Sequence, residues 1–432
     1  MGESHMVENT SELAITVGLQ LPNAGLMEAE ESLLELRALA HTAGASVVEM
    51  VVQSRSHPDT ATYVGRGKLE EIKGLIHVHD APLVIFDDEL TPAQLRNIEG
   101  VLGVKVIDRT QLILDIFAQR ANTREAQLQV DLAQLKYLLP RLAGRGTTLS
   151  RLGGGIGTRG PGETKLETDR RRIRQRIARL EREMEGIRAQ RDLQRQSRAR
   201  NAVPVVALVG YTNAGKSTLL NRITGADVLV EDQLFATLDP TIRRSTMPSS
   251  GQPILFVDTV GFIRKLPHAL VAAFRATLEE VVEADVLVHV VDATAYNAVA
   301  QMSAVFEVLE ELGVAGRPLI TAFNKVDRLP STVSLPDLLA GTPDSIAISS
   351  LTGAGLEGLF SAIEEKLGED LTYAEYNIPY DQAAVAADMR AVGQVVEEHY
   401  TEDGICLAVR LPSGFTQRWA EFRIPSSNNP KP

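Results

Sequence analysis

A single cysteine, Cys406, stands in a chain of 432 residues. That count excludes an intramolecular disulfide and a metal site built from several thiolates, and leaves Cys406 as a small core side chain on a strand. No apolar run reaches the roughly 18 residues of a membrane span, and the first residues lack the basic-then-apolar signature of an export signal. The cytoplasm is the expected location. Aromatic side chains make up only 5% of the chain, and none lies between Gly146 and Arg200, so base stacking by that stretch is not expected. Positive charge is in deficit, with 44 Lys and Arg against 56 Asp and Glu for a net −12, which as a sum argues against a polyanionic partner. The distribution of charge matters more than the sum. The opening Met-Gly-Glu-Ser-His-Met resembles a remnant of expression and is set aside.

Hydrophobic residues at 44% and charged residues at 23% are ordinary for a globular chain. The length exceeds the size, about 250–300 residues, at which a single core stops growing, so several domains are expected. Residues 10–120 alternate strand-like runs at 15–19, 47–52, 83–86 and 104–107 with helical ones at 28–43, 68–77, 91–101 and 110–119. Such alternation predicts a small α/β domain with a mostly parallel sheet. Gly65-Arg66-Gly67-Lys68 lacks the glycine spacing and terminal Ser or Thr of a phosphate loop and reads as a turn ahead of a helix. Asp87-Asp88-Glu89 allows a metal, a basic partner or a solvated strand end. The last is favoured, because adjacent carboxylates on a strand cannot all face one ion.

Residues 121–201 change in character. Leu128, Leu132, Leu135 and Leu139 mark one helical seam, which Pro140 ends, and Ile173, Ile177, Leu180, Met184 and Ile187 mark a second. Two seams of similar length joined by a loop predict an antiparallel helical hairpin. The joining stretch, 144–162, holds eight glycines among nineteen residues and cannot build a core, so a mobile loop is expected unless a partner orders it. Residues 169–200 carry twelve arginines against five acids, a local +7. Arg170, Arg171, Arg172, Arg174, Arg176 and Arg179 crowd the end beside the glycine-rich loop. A solvated face normally mixes signs; a polyanion met through its phosphates, or a folded RNA, is the favoured neutraliser.

Residues 202–369 carry nucleotide chemistry. Gly210-Tyr-Thr-Asn-Ala-Gly-Lys-Ser217 fits G-x-x-x-x-G-K-[ST] after the apolar run 203–209, the context of a strand entering a phosphate loop. Gly210, Tyr211, Thr212, Asn213, Ala214, Gly215, Lys216, Ser217 and Thr218 are therefore candidate nucleotide contacts. Lys216 is suited to the β and γ phosphates and Ser217 to Mg²⁺. Asn213 either helps hold a monovalent cation, K⁺, or caps the turn. Behind the strand at 254–257, Asp258-Thr259-Val260-Gly261 offers a carboxylate for Mg²⁺ through a water and a backbone N–H for a γ phosphate. Behind the strand at 319–323, Asn324-Lys325-Val-Asp327 decides the base. The Asp327 carboxylate can accept from guanine N1–H and the 2-amino group, donors that adenine lacks. Ser349, Ser350 and Leu351 place a backbone N–H for guanine O6. Between 228 and 243, Phe235, Ala236, Thr237, Leu238 and Asp239 form the candidate switch. Thr237, in preference to Thr241, is the hydroxyl expected to complete Mg²⁺ coordination when a γ phosphate is present. Lys216, Thr237 and Gly261 are the candidate catalytic residues. Phe262 stands where many switch GTPases carry a glutamine that orients the attacking water, so slow turnover by the protein alone is expected.

These motifs, with the glycine-rich Leu152-Gly-Gly-Gly-Ile-Gly157, Gly160-Pro-Gly-Glu-Thr-Lys165 and the arginine-rich helix, make the chain similar to the HflX family of translation-associated GTPases. The resemblance implies an N-terminal domain with a helical hairpin and a Ras-like G domain. It also implies GTP-dependent binding to the large ribosomal subunit, ribosome-stimulated hydrolysis of GTP to GDP, and splitting of stalled ribosomes under stress. Ser349-Ser350-Leu351 departs slightly from the Ser-Ala pattern common there. Residues 370–425 read as a small α/β appendix, with strands at 376–378 and 405–411 and a helix over 383–398. A monomer is expected. The same motifs also suit a GTPase aiding ribosomal subunit assembly, or a GTP sensor docking a protein partner.

Overall fold

The computed structural model of the chain describes residues 12–22, 25–142, 161–199, 203–225, 233–267, 278–314, 316–330, 335–369, 371–412 and 419–424. The chain divides into two compact units. The first takes Met1–Ile187, Glu231–Asp239 and Ile263–Thr277, and the second takes Arg188–Val230, Pro240–Phe262 and Leu278–Pro432.

In the first unit β1 (Glu12–Gln20), α1 (Leu26–Thr42), β2 (Ala45–Ser54), α2 (Arg66–His79), β3 (Leu83–Phe86), α3 (Pro92–Leu102), β4 (Lys105–Asp108) and α4 (Arg109–Arg120) alternate as the spacing predicts. The strands form one parallel sheet in the order β2-β1-β3-β4. β1, inside that sheet, is buried on both faces, as a central parallel strand must be. Ile15, Val17, Val84 and Phe86 pack against Leu69, Ile72 and Ile76 of α2 and Ile98 and Leu102 of α3. Helix starts are fixed locally. Thr91 accepts from Gln94 N at 3.2 Å while the Gln94 side chain accepts from Thr91 N at 3.0 Å, a capping box with Pro92 in the first turn.

Of Asp87-Asp88-Glu89, Asp87 is not solvated as expected, Asp88 is half-buried and Glu89 is exposed. Asp87 is 2% exposed and accepts from Ser32 Oγ at 2.6 Å, from Arg109 Nη1 at 2.9 Å and from Lys265 Nζ. Asp88 meets Lys265 at 2.8 Å and Tyr63, and Glu89 meets Arg141 at 3.1 Å. The cause is Arg109, 1% exposed and also paired with Glu35. A buried guanidinium demands carboxylates around it.

The hairpin consists of α5 (Arg124–Arg141) and α6 (Pro161–Ala199). Leu128 and Leu132 pack on Leu180 and Met184, joined by Leu135, Ile177 and Ile187. The pairs Arg124–Glu183 (3.1 Å) and Asp131–Arg176 (2.9 Å) ascend one helix while descending the other, as antiparallel packing requires. The expectation that Pro140 ends the first helix is corrected by one residue, since Arg141 still belongs to α5. Arg141 holds that last turn down, with Nη2 donating to Leu90 O at 2.9 Å and to Asp108 at 3.3 Å and the guanidinium 3.4 Å from the Tyr137 ring centroid. Most of the glycine-rich stretch, 143–160, lies outside the described residues.

In the second unit β5 (Val205–Gly210), α7 (Lys216–Thr224), β6 (Thr241–Thr246), β7 (Pro253–Asp258), β8 (Val286–Asp292), α8 (Ala298–Glu311), β9 (Leu319–Asn324), β10 (Ser345–Ala347) and α9 (Leu356–Glu369) build a six-stranded sheet with helices. The order is β10-β9-β8-β5-β7-β6, parallel except for β6. β6 is absent from the sequence reading because, as an edge strand with one neighbour, it carries exposed Arg243 and Arg244 rather than an apolar run. The remainder, β11 (Leu371–Ile378), α10 (Ala383–Val392), β12 (Gln394–Thr401) and β13 (Gly404–Pro412), forms an antiparallel sheet β11-β13-β12 with its helix. The helix expected over 383–398 stops at Val392. Gly393 is extended there, and a Cβ on it would lie 2.5 Å from Leu411 Cδ2, so the chain turns against β13 and continues as β12. Cys406 lies half-buried on β13, outside the core.

Asp108 ties β4 to three neighbouring segments, accepting from Leu90 N (3.0 Å), Gln111 N (2.9 Å) and Tyr137 Oη (2.7 Å) besides Arg141. Asp108→Ala strips the buried Tyr137 hydroxyl and two backbone donors of their acceptor, removes one of the partners of Arg141, and is expected to cost about 3 kcal/mol or more. Urea unfolding of the first unit measures this; a loss below about 1 kcal/mol contradicts it.

Candidate nucleotide site

Three carboxyl-terminal strand ends, those of β5, β7 and β9, together with the segment after β10, converge in the second unit, the edge where open parallel sheets hold ligands. The loop from Gly210 to Ser217 leaves β5 and enters α7. Gly215 has φ 96° and a Cβ there would lie 2.3 Å from Asn324 Nδ2, so only glycine lets the loop pass. Lys216 is 6% exposed, and its Nζ donates to Gly210 O at 3.1 Å and Tyr211 O at 2.9 Å. Burial lowers its pKa to about 8, with nearby Asp258 acting in the opposite sense. His289, on β8, is held neutral with its pKa lowered to about 4 by burial and by the charge of Lys216. Ser217 Oγ donates to Asp258 Oδ2 at 2.6 Å.

Beyond Asp258, Thr259 is fully buried with Oγ1 on Leu208 O at 2.7 Å. Val260 is 7% exposed. Gly261 sits so near the phosphate loop that a Cβ would lie 2.7 Å from Thr212 Cα. Phe262 is 1% exposed and pairs its backbone with the loop, Phe262 N donating to Gly210 O at 3.1 Å and Thr212 N to Phe262 O at 2.7 Å.

On the base side, Asn324 is 2% exposed and its amide binds two segments. Nδ2 donates to Ala214 O at 2.8 Å, and Oδ1 accepts from Ser350 N at 2.9 Å and Ser350 Oγ at 2.5 Å. Ser349 Oγ donates to Asp327 Oδ1 at 2.5 Å, which orients that exposed carboxylate. Leu351 is 65% exposed. Lys325 Nζ lies 2.6 Å from Asp292 Oδ2 and 2.8 Å from Asn213 O. The sequence reading omitted Asp292; its one signal was an acid closing the apolar strand β8.

The structure thus joins the phosphate loop, the Asp258 to Gly261 turn, Asn324 to Asp327 and Ser349 to Leu351. The candidate switch residues are held by the first unit. Phe235, at φ 56° and 1% exposed, packs edge-on against Phe117 at 4.7 Å, and Leu238 is buried. The Asp239 carboxylate accepts from Asn122 N and Thr123 N, both at 3.1 Å, and from Thr123 Oγ1 at 2.5 Å, at the first turn of α5. Ala236 is exposed and Thr237 half-buried.

Three family models match successive stretches of the chain. Residues 30–118 match the description GTP-binding GTPase N-terminal, residues 120–198 match GTP-binding GTPase Middle Region, and residues 205–325 match 50S ribosome-binding GTPase. The chain is 50% identical to the GTPase HflX of Caldanaerobacter subterraneus over 92% of its length and 91% of that protein. It is 51% identical to that of Lacrimispora saccharolytica over 89% of the chain and 90% of that protein. It is 45% identical to that of Escherichia coli over 88% of the chain and 90% of that protein. The chain belongs to the HflX family of GTPases. GTP and GDP are its ligands and GTP hydrolysis its reaction. In this HflX-family chain no helix among the described residues is long and apolar enough to cross a membrane.

Lys216 generates a pH prediction. Its ammonium is present below pH 8 and lost as pH rises through about 8, whereas a bound polyphosphate restores the charge. Binding of GDP above that pH is therefore expected to take up most of a proton, and affinity is expected to fall with rising pH. Calorimetry at pH 7 and 8.5 in buffers of differing ionisation heat measures the uptake; none at the higher pH contradicts the assignment.

Proposed function

We propose that this chain binds the large ribosomal subunit in its GTP state and hydrolyses GTP there, splitting stalled ribosomes under stress. The uneven charge of α6 carries the reading. Arg172, Arg176 and Arg179 are answered by Asp169 (3.7 Å), Asp131 (2.9 Å) and Glu183 (3.4 Å). Arg171 and Arg174 are exposed and enter no ion pair among the described residues, so they offer their charge outward. The family description 50S ribosome-binding GTPase, matched by residues 205–325, supports the same partner. Arg170 is half-buried beside them.

In this reading the N–H groups from Gly210 to Thr218 wrap the phosphates and the Lys216 ammonium neutralises the β and γ oxygens. Ser217 and Asp258, oxygen donors that meet at 2.6 Å, fit Mg²⁺, a hard cation that keeps several waters and phosphate ligands. Mg²⁺, when bound, offsets charge developing on the transferred phosphoryl group. Thr237 supplies a further hydroxyl and Gly261 its N–H. Asp327 reads guanine N1–H and the 2-amino group, and Ser349 to Leu351 face O6. Phe262 has no amide to orient water and is buried, so hydrolysis is slow until a partner arranges the site. The left-handed backbone of Asn213, φ 60°, accounts for an asparagine by itself. Faster turnover in KCl than in NaCl is expected only if its side chain also holds K⁺; equal rates leave the turn alone.

The test is sedimentation of intact ribosomes with the full chain and a non-hydrolysable GTP analogue. Arg171→Glu with Arg174→Glu is expected to abolish co-sedimentation near 0.15 M salt and to reduce the slope of log affinity against log salt by about 2. Unchanged binding removes the arginines from the interface. Binding restricted to precursor subunits favours a role in assembly instead.

A further inference from the structure

We propose that Asp292 is a positioning residue for the nucleotide: it clamps Lys325 against the phosphate loop and so sets how long guanine nucleotide stays bound. β8 and β9 are in register with Asp292 beside Asn324, which brings the acid to the residue preceding Lys325. Ala293 N donates to Asn324 O at 2.9 Å and closes the pairing. One carboxylate oxygen is then fixed by its own loop, with Oδ1 accepting from Thr294 N at 2.9 Å and Thr294 Oγ1 at 2.6 Å. The other receives Lys325 Nζ at 2.6 Å. Both side chains are largely withdrawn from water, at 18% and 19% exposure, so solvent screens the pair weakly.

The ammonium does not end there. It also donates to Asn213 O at 2.8 Å, on the phosphate loop. Both residues that meet in that bond have left-handed backbones, φ 60° at Asn213, which asparagine adopts readily, and φ 65° at Lys325, which a lysine seldom holds unless its surroundings impose it. The chain Thr294, Asp292, Lys325, Asn213 therefore links the base-reading segment to the phosphate-binding loop through one ammonium, beside the Asn324 link to Ala214. Without the carboxylate, the ammonium keeps only a neutral carbonyl, and the alignment of base and phosphate subsites relaxes. Burial alone would raise the pKa of Asp292; the hydrogen bonds from Lys325 and Thr294 more than offset this and hold it below the usual carboxylate range, so the clamp is charged at neutral pH.

The proposal rests on the guanine-nucleotide reading of this site, and wild-type binding of a fluorescent GDP tests that reading separately. In the full chain, Asp292→Asn preserves shape and the Thr294 contacts but removes the charge. It is expected to speed fluorescent-GDP dissociation about tenfold with hydrolysis at saturating GTP within about twofold. Lys325→Met is expected to show a similar acceleration, and the double variant no more than either single one, because both remove one link. Thr294→Val, which frees the carboxylate without discharging it, is expected to give a smaller acceleration and serves if Asp292→Asn fails to fold. Unchanged dissociation in Asp292→Asn, or additive effects in the double variant, overturns the proposal; a merely structural role predicts unchanged dissociation with only a lower melting temperature of the nucleotide-free protein.

Discussion

The buried amide of Asn324 is the point through which the nucleotide site is assembled. Its two ends hold the phosphate loop at Ala214 and the segment after β10 at Ser350, while Gly215 passes within reach of the same nitrogen. An amide both donates and accepts, so one side chain ties two loops that share no sheet pairing. Loops are otherwise the least constrained parts of an α/β fold. Around this amide, Lys216 is desolvated, Ser217 meets Asp258, and Asp327 is oriented by Ser349. Each contact belongs to a different strand end, and the parallel sheet brings those ends together.

The first unit solves a different problem. Its sheet is apolar, yet Arg109, at the start of α4, is buried beside it and collects Glu35 and Asp87. The same acidic pocket receives Lys265, and Asp239 sits at the first turn of α5. Segments 233–239 and 263–267 belong to this unit, held by the apolar packing of Phe235 on Phe117 as well as by the polar contacts of Asp239 and Lys265.

Much of this was legible in the chain itself. The phosphate loop, the Asp258 to Gly261 turn and Asn324 to Asp327 are runs of adjacent residues with fixed spacing, so no knowledge of tertiary contacts is needed to find them. The two hairpin seams were equally plain, since a helix repeats its buried face every three or four residues. Asp292 was not legible: its partner lies 33 positions away and the strand register alone brings them together. Asp87 was misread as solvated for the same reason, because the cation that buries it stands on α4. β6 escaped notice as a charged edge strand, and the helix expected to 398 gave way at Gly393, where close passage along β13 overrides helical propensity.

A slow site and an outward-facing pair of arginines form one account if the partner of the arginines is also what arranges the site. Phe262 has no side-chain amide to orient water, and Arg171 and Arg174 of α6 are exposed and enter no ion pair among the described residues. The most direct measurement is single-turnover GTP hydrolysis by the full chain with and without purified large ribosomal subunits. The account predicts slow hydrolysis alone and acceleration by about tenfold or more with saturating subunits. Fast hydrolysis by the isolated protein, or no acceleration by subunits that demonstrably bind, contradicts it.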